Sequence, residues 1–265
     1  MSTETRFVGS IPALYDRHLG PVLFEPYALD LAARVPAGTR RILEVAAGTG
    51  RVTRHLLSAL AADGTLVATD LNEPMLVEAS SQLSSDARVR WQAADVQALP
   101  FDDASFDVVA CQFGLMFVPD KPRALRELRR VLRPGGTLLL NTWNDLARNP
   151  ASALLHQLAF AELPNNPPAF MLVPFSMPDA TELRTLTSTA GFTQVRVDTV
   201  DKIADAVSAG DLAIGLVRGN PLYNQLVERA IDADTFQTRV TDALRAAFGD
   251  APCRSPLSAH VVTAR

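Results

Sequence analysis

The sequence predicts an α/β fold with a mostly parallel sheet, and three observations support this prediction. Short β-rich runs alternate with helical periods from Arg41 to Trp143, a pattern typical of βαβ units. The stretch ILEVAAGTGRVT, at 42–53, places a glycine-rich turn between the first strand and a helix. Beyond Trp143 the pattern becomes mainly helical, with two further strand-like runs. A core sheet with helical additions is therefore expected.

The elements are predicted in order along the chain. Two amphipathic helices are expected within 10–36, the second beginning near Pro26. Five core strands are expected at 40–46, 65–71, 87–95, 105–113 and 136–143.

Helices are predicted between these strands. One has an apolar face through Val52, Leu56 and Leu60, and the next opens with Asn72 as its N-cap. A third follows at 121–132 with arginines around a leucine stripe. The run Pro134-Gly135-Gly136 is expected to end this helix and lead into the fifth strand.

In the C-terminal half, the sequence pattern predicts a helix followed by an irregular proline-rich stretch within 146–178. A helix ending at Gly191 and a strand at 193–200 come next. About 55 mainly helical residues then precede a last strand at 259–264.

Composition narrows the classes of protein. The chain has 265 residues, 48% hydrophobic and 20% charged, which suits a compact globular protein. A net charge of −4 disfavours nucleic acid and anionic membranes as partners, so the arginine-rich third helix is interpreted as a solvated face. Cys111 and Cys253 are expected to be free thiols in a reducing compartment. Since neither a signal peptide nor a membrane-spanning apolar run is seen, a soluble cytoplasmic protein without stable membrane insertion is expected.

The glycine-rich turn could hold one of three ligands. A triphosphate loop needs a lysine after its last glycine, and none follows Gly50. The dinucleotide fingerprint needs a third glycine where Thr53 stands. Asp70, at the end of the second strand, suits ribose hydroxyls in either a dinucleotide or an adenosyl ligand.

Glu44 separates the remaining alternatives. A buried acid before the turn would repel a pyrophosphate, whereas an ammonium group would stabilise it. Together with Asp70 and the run Ala94-Asp95-Val96, it indicates a ligand with a cationic amino-acid portion, a ribose and an adenine. S-adenosylmethionine has these parts.

Five segments in register resemble the class I S-adenosylmethionine-dependent methyltransferases. They are ILEVAAGTG, ATDLNEPML, AADVQALPFDDASFDVV, CQFGLMFVPD and LRELRRVLRPGG, and they are similar to the methyltransferase type 11 and ubiquinone/menaquinone C-methyltransferase-like group. The similarity runs across about 10–143 and continues more weakly to the end of the chain. One departure is Ala46, where many members have glycine.

The resemblance implies a Rossmann-like seven-stranded sheet of order 3-2-1-4-5-7-6 with helices on both faces and an antiparallel last strand. Helical insertions are expected after strand five and between strands six and seven. The expected regions are a helical lid at 1–38, a cofactor-binding core at 39–145, an acceptor cap at 146–178, and the end of the sheet at 179–265 with a helical insert at about 203–256.

The resemblance also implies cofactor roles. Gly48 and Gly50 would pass beneath the methionine and sugar, Glu44 would help to hold the ammonium, and Asp70 would bind the ribose. Thr49, between the two glycines, also belongs to the implied cofactor site. The remaining residues implied for the cofactor site are Ala46 in the turn, Leu71, Met75, Ala94, Asp95 and Val96 around the adenine, and Gln112 and Phe113 near the sulfonium.

Tyr15 and His18 are the predicted catalytic residues, because related proteins close this N-terminal segment over the cofactor. Tyr15 could instead pack with Phe24 and Tyr27, and His18 could be a polar residue at a helix end. His156 is a second choice for catalysis, whereas His55 is expected at the surface and His260 as a satisfied sheet residue. The histidine spacing predicts no metal site.

A small, hydrophobic or aromatic acceptor is predicted from aromatic residues in the variable regions. The candidates are Phe7, Phe117, Trp143, Phe170 and Phe175, each of which could alternatively be a core residue. O-, N- and C-methylation, the use of a base and a homodimer all remain open. The alternatives are a non-catalytic S-adenosylmethionine-binding protein and an NAD-dependent oxidoreductase.

Overall fold

The structure is a computed structural model that describes residues 9–83, 86–165 and 167–265. Its seven strands are β1 (Arg41–Val45), β2 (Thr65–Asp70), β3 (Val89–Ala93), β4 (Phe106–Gln112), β5 (Leu132–Trp143), β6 (Val195–Ala206) and β7 (Cys253–Ala264). Its α-helices are α1 (Ile11–Leu14), α2 (Glu25–Ala33), α3 (Thr53–Ala59), α4 (Glu73–Gln82), α5 (Lys121–Val131), α6 (Pro150–Glu162), α7 (Ala180–Thr189), α8 (Ala209–Arg218), α9 (Leu222–Glu228) and α10 (Ala233–Phe248).

The strands form one sheet of order β3-β2-β1-β4-β5-β7-β6, which confirms the predicted topology. β1 pairs in parallel with β2 and β4, and β2–β3 and β4–β5 are also parallel. β7 runs antiparallel to β5, from Leu138 opposite Ala264 to Trp143 opposite Ala259. After β1 the chain forms β2 and β3 on one side of β1 in the sheet, and it then returns to form β4 on the other side of β1. The carboxyl ends of β1 and β4 therefore flank the topological switch point, where open α/β sheets bind ligands.

The third predicted helix ends earlier than expected, and the fifth strand begins earlier. Helix α5 ends at Val131 and β5 starts at Leu132, so the Pro134-Gly135-Gly136 run lies inside the strand. The β4–β5 register shifts between Phe106 and Val108, and Gly135 has φ +75°. Proline is tolerated at such an irregularity because no ladder hydrogen bond is required of its nitrogen. The prediction that the fifth strand begins at Gly136 was wrong for that reason.

Strands β6 and β7 are longer than predicted. β6 continues to Ala206 and β7 begins at Cys253, so the helical insert between them is shorter than the predicted 203–256. Arg254 pairs with Asp205 at 3.1 Å, joining the two extensions. The polar residues in these segments concealed them from a search for apolar runs.

The N-terminal helices follow one another without a non-helical residue between them. α1 passes into a π-helical segment, Tyr15–Phe24, which passes into α2. Pro21 lies inside the π-helical segment and cannot donate a backbone hydrogen bond. Helix α2 begins beside Pro26, as predicted, but the predicted break between two helices is replaced by a change of hydrogen-bonding pattern.

Contacts divide the chain into two compact units, defined here by their residues. The helical unit comprises the chain up to Pro26, Asn144–Ser176 and Asp201–Ser258. The core unit comprises Tyr27–Trp143, Met177–Val200 and Ala259–Arg265.

The core unit is held by a buried apolar cluster and by one buried acid. Ile42, Leu66 and Val108 are fully buried in this cluster. Asp107 Oδ2 accepts the backbone N–H groups of Arg40 and Arg41 at 2.8 and 2.9 Å, which fixes the start of β1 against β4. The glycine-rich turn after β1 therefore grows from a firmly positioned strand.

Candidate functional site

The predicted cofactor residues lie at the carboxyl ends of four neighbouring strands of the core unit. Asp70 ends β2, Ala46 follows β1, Gln112 ends β4, and Asp95 follows β3. Three inter-strand spacings separate the outermost of these strands, about 14 Å in all. This edge is long enough to take an extended ligand made of a base, a sugar and an amino acid.

The turn after β1 depends on its glycines. Gly48 and Gly50 have φ +57° and +79°, which glycine adopts without strain. A Cβ on Gly50 would lie 3.2 Å from Ala79 Cβ and 3.3 Å from the Trp91 ring. The backbone of this turn can therefore approach α4 and β3 closely, and it presents no side chain at Gly48 or Gly50.

Glu44 is buried inside the sheet beneath this turn. Its side chain is 1% exposed, and Oε2 accepts a 2.6 Å hydrogen bond from Thr53 Oγ1 at the start of α3. Burial raises the pKa of Glu44 to about 8, although the Thr53 bond opposes this rise and the charge of Asp70 adds to it. Thr53 is thus the hydrogen-bond partner of Glu44. From the sequence, Thr53 was recognised only as a residue that replaces the third glycine of the dinucleotide fingerprint.

Asp70 ties the turn after β1 to the turn after β2. Its Oδ2 accepts Gly48 N–H at 2.9 Å, and its Oδ1 accepts Asn72 N–H at 2.8 Å. Burial raises the pKa of Asp70, while these backbone donors lower it. Two buried acids at one turn favour a cationic ligand and oppose a pyrophosphate.

The predicted adenine residues differ in exposure. Leu71 is 51% exposed and Met75 is buried, with the Met75 methyl 3.6 Å from the position of a Cβ on Gly48. Asp95 Oδ1 accepts Gln97 N–H at 2.8 Å, and Ala94 and Val96 beside it are half-buried. An exposed leucine next to a buried acid suits a flat apolar ring above a polar sugar contact.

The turn after β4 is held by Asn141 of β5. Phe113 has φ +50°, and its N–H donates to both the side-chain and the backbone oxygen of Asn141, at 2.9 and 3.2 Å. Asn141 is fully buried, and its Nδ2 lies 3.5 Å from Gln112 Oε1. Asn141 therefore positions both residues predicted near the sulfonium, and the sequence search did not identify it.

Ala46 and Gly114 interlock across the switch point. Ala46 has φ +53°, a left-handed conformation that costs an L-residue about 1–2 kcal/mol. A Cβ on Gly114 would collide with Ala46 Cβ and lie 2.9 Å from Cys111 Sγ. The departure from glycine at 46 is thus accommodated by a glycine on the neighbouring turn.

Gly114→Ala is expected to lower the free energy of unfolding by about 2–3 kcal/mol, because the new methyl overpacks this contact. Adding Ala46→Gly should restore part of that loss, since it removes the collision with the Ala46 methyl and leaves the close approach to Cys111 Sγ. Denaturant unfolding of the two single variants and the double variant measures the coupling. Strictly additive effects would contradict the interlock.

Tyr15 and His18 lie in the π-helical segment of the helical unit. Tyr15 stacks on Phe24 at 4.8 Å, as the packing alternative expected. His18 is buried, and its Nδ1 bonds Asp211 Oδ1 of α8 at 2.9 Å. A Cβ on Gly215 would lie 2.9 Å from His18 Cβ, so glycine allows α8 to approach this closely. Asp211 is 193 residues away, and no sequence pattern pointed to it.

The predicted acceptor residues are distributed over the two units, with Phe117 and Trp143 in the core unit and Phe170 and Phe175 in the helical unit. Trp143 is buried and stacks on Phe113 at 3.9 Å, with the Tyr27 ring edge-on to both. Phe170 is buried, and Phe175 lies edge-on to the His156 ring at 6.0 Å. Phe117 is 39% exposed after β4, and Phe7 lies outside the described residues.

The other polar predictions can also be located. His260 bonds the Pro178 carbonyl through Nε2 and Thr199 Oγ1 through Nδ1, as expected for a satisfied sheet residue. Both cysteines are free and buried. In the described parts of the chain, no three His, Cys, Asp or Glu side chains are grouped to hold a metal ion. Within the same residues, no helix is long and apolar enough to cross a membrane.

Comparison with known sequences identifies the family of the chain. Residues 43–140 match a family described as a methyltransferase domain. The ubiquinone/menaquinone biosynthesis C-methyltransferase UbiE of Idiomarina loihiensis is 33% identical over 193 residues, covering 65% of this chain and 73% of the relative. UbiE of Escherichia coli is 33% identical over 175 residues, covering 60% and 70%.

Solved structures share the fold. The YcgJ protein of Bacillus subtilis superposes with a TM-score of 0.58 at 19% identity, covering 90% of this chain and 97% of its own. Phosphoethanolamine N-methyltransferase 2 of Haemonchus contortus, solved with S-adenosyl-L-methionine, gives a TM-score of 0.59 at 15% identity, covering 96% and 56%. At these identities the likeness concerns the fold alone.

The sheet order, the acid-bearing glycine turn and the relatives lead to one family. The chain is an S-adenosylmethionine-dependent methyltransferase, and it belongs to the class I methyltransferases of the ubiquinone/menaquinone C-methyltransferase-like group.

Proposed function

We propose that this methyltransferase acts on a carbon atom of a small aromatic acceptor of the quinol or phenol type. Two relatives whose length is matched over more than two thirds are named as C-methyltransferases of ubiquinone and menaquinone biosynthesis. The aromatic residues of the helical unit suit such a molecule better than a charged polymer. The observation that carries the donor half of the proposal is the buried pair Glu44 and Asp70 at the glycine-rich turn.

The residues at this edge fit the methyl donor in chemistry. Gly48 and Gly50 leave room for close approach, Glu44 would stabilise the ammonium, and the Asp70 carboxylate would accept ribose hydroxyls. Leu71 and Met75 would flank the adenine together with Ala94 and Val96, and Asp95 would accept its amino group. Ala46, Thr49, Gln112 and Phe113 would line the methionine and sulfonium portion.

Methyl transfer depends mainly on the alignment of the acceptor atom, the methyl carbon and the sulfur. S-adenosylmethionine supplies, when bound, a methyl group on a positively charged sulfur. An acceptor atom attacks the methyl carbon in line with the C–S bond, and the sulfur is the leaving group. The acceptor carbon gives the electron pair of the new C–C bond, the sulfur keeps the pair of the broken C–S bond, and the ring then loses a proton. Holding reactants in line contributes about 7–11 kcal/mol, and the Asn141-braced turn at Gln112 and Phe113 supplies rigid positioning.

His18 is the proposed acceptor of the proton. Asp211 holds Nδ1 at 2.9 Å, and among the described residues no hydrogen bond engages Nε2. A carboxylate on one ring nitrogen fixes the tautomer and leaves the other nitrogen to accept a proton. Asp211 is a positioning residue in this arrangement, and Tyr15 lies on the same segment.

His18→Ala is expected to lower kcat by about 10²–10⁴-fold, the usual contribution of a general base. Asp211→Asn should lower kcat by at least about tenfold with little change in KM, because an amide can donate to Nδ1 and favour the wrong tautomer. Asp234→Asn, in the first turn of α10, is the matched control. Equal effects of the two Asp→Asn changes would contradict the positioning role.

A labelled-methyl screen tests the proposed acceptor class. The protein is incubated with radiolabelled S-adenosylmethionine and with hydroquinones, phenols, amines and carboxylates, and the product is analysed for the methylated atom. We expect transfer to a ring carbon of a hydroquinone or phenol. Transfer only to nitrogen or carboxylate oxygen would refute this acceptor class, and binding without any transfer would favour a non-catalytic role.

A further inference from the structure

His156 of α6 is a buried histidine with one unsatisfied nitrogen. It is 8% exposed, and no group among the described residues hydrogen-bonds its buried Nε2. Buried polar atoms are nearly always paired, and an unpaired one lowers stability. The unpaired Nε2 therefore lowers the stability of the fold.

The ring of His156 favours its neutral form. Burial lowers the pKa of His156, and the backbone of Met171 opposes this change with a smaller effect. A neutral imidazole carries one N–H and one lone pair. With the proton on Nδ1, the buried Nε2 is a hydrogen-bond acceptor.

The surroundings of the ring are aromatic and apolar. Phe160, one turn along α6, stacks on it at 5.7 Å and 11°, and Phe175 meets it edge-on at 6.0 Å and 85°. Phe170 and Met171, from the irregular stretch after α6, are both buried. These groups offer wide apolar faces, and Nε2 offers one hydrogen-bond acceptor.

We propose that His156 is the hydrogen-bond acceptor of a binding site for a small aromatic molecule that carries a hydroxyl group, with Phe160 and Phe175 as its walls. A phenol-type hydroxyl donates to Nε2, and the ring of the ligand packs against Phe160 and Phe175 in place of some of their contacts with the His156 ring. Among its described residues, 163–165 and 167–179, the stretch after α6 contains one short helical turn, Ala169–Leu172, so it can rearrange at lower cost than a helix or sheet to admit the ring. This inference rests on the proposed function, because it identifies the part of the methyl acceptor that the helical unit recognises.

Nitrogen NMR of protein labelled with ¹⁵N-histidine tests the site directly. The chain has four histidines, and His260, whose two nitrogens are already bonded, is the internal control. Phenol is titrated against toluene, which has the same ring without the donor. We expect phenol to shift His156 Nε2 at least about threefold more than any other histidine nitrogen, and toluene to leave it unchanged. Equal responses to phenol and toluene, or none to phenol, would overturn the proposal.

Two variants separate the nitrogens. His156→Asn keeps a donor near the Nδ1 position and lacks Nε2, so it should bind phenol at least about tenfold more weakly, as measured by calorimetry, without a lower Tm. His156→Gln can place an amide oxygen near the Nε2 position and should retain binding within about threefold. A large loss of Tm in His156→Asn with unchanged phenol affinity of the folded protein would show a structural role instead.

These measurements need no methyl donor. A protein that binds phenol through His156 yet methylates no phenol or hydroquinone would refute the proposed acceptor class and leave this site intact. Methylation of a phenol with no response at His156 would refute the site alone.

Discussion

Glu44→Gln is expected to stabilise the protein at alkaline pH while weakening S-adenosylmethionine binding. The pKa of Glu44 is raised to about 8 in the folded protein, so its contribution to stability is fully present below the unfolded-state pKa near 4.5 and is lost as pH rises through 8. Glutamine imitates the protonated form and avoids this loss. At pH 9 the gain is on the order of 3–5 kcal/mol, equivalent to a Tm about 5–10 °C higher.

Thermal unfolding at pH 5 and pH 9 measures this effect. The Tm difference between variant and wild type should be small at pH 5 and large at pH 9, while calorimetry shows affinity for the methyl donor reduced at least about tenfold. Glu182→Gln, an exposed acid of α7, is the matched control and should show no such pH dependence. A Glu44→Gln variant less stable than wild type at pH 9 would contradict the raised pKa of the buried Glu44 carboxyl.

Asp70→Asn is expected to weaken S-adenosylmethionine binding by about 100-fold or more. Its two carboxylate oxygens accept N–H groups from different turns, at Gly48 and Asn72. An amide has only one acceptor oxygen, so its NH₂ group must face one of these donors and the turn loses a hydrogen bond. The carboxylate proposed to bind the ribose is lost with it.

Calorimetric titration of the Asp70 variant with S-adenosylmethionine and S-adenosylhomocysteine checks this prediction. A Tm recorded for the same sample separates weaker binding from partial unfolding. Asp63→Asn, a surface acid that pairs with Arg40, is the control and should bind both molecules as wild type does. Unchanged affinity in Asp70→Asn would remove this residue from the proposed cofactor site.

The core of the sheet could be predicted because its signals are local. Each strand from β1 to β4 is a short β-rich run next to a helical period, and the structure places it within two residues of its predicted bounds. The start of β5 was missed because a proline and two glycines resemble a turn whether or not the strand continues through them. The π-helical segment was missed because its apolar spacing is close to that of an α-helix.

In the candidate site, too, residues within local motifs could be predicted and their distant partners could not. Glu44, Gly48, Gly50 and Asp70 stand in recognisable segments, so their positions could be predicted from the resemblance. The partners of functional groups could not, because Asp211 meets His18 across 193 residues and Asn141 meets Phe113 across 28. Ala46 was recognised as a departure from the family pattern, but only the structure shows that Gly114 accommodates it.

We propose that the turn after β1, with its two buried acids, binds the cationic methyl donor. Calorimetric titration of the wild-type protein with S-adenosylmethionine at pH 7, in two buffers of different ionisation enthalpy, tests this role. We expect one-to-one binding with release of about one proton, since the cation favours the Glu44 carboxylate over its protonated form. The absence of binding, or binding of NADH in its place, would contradict this role of the turn.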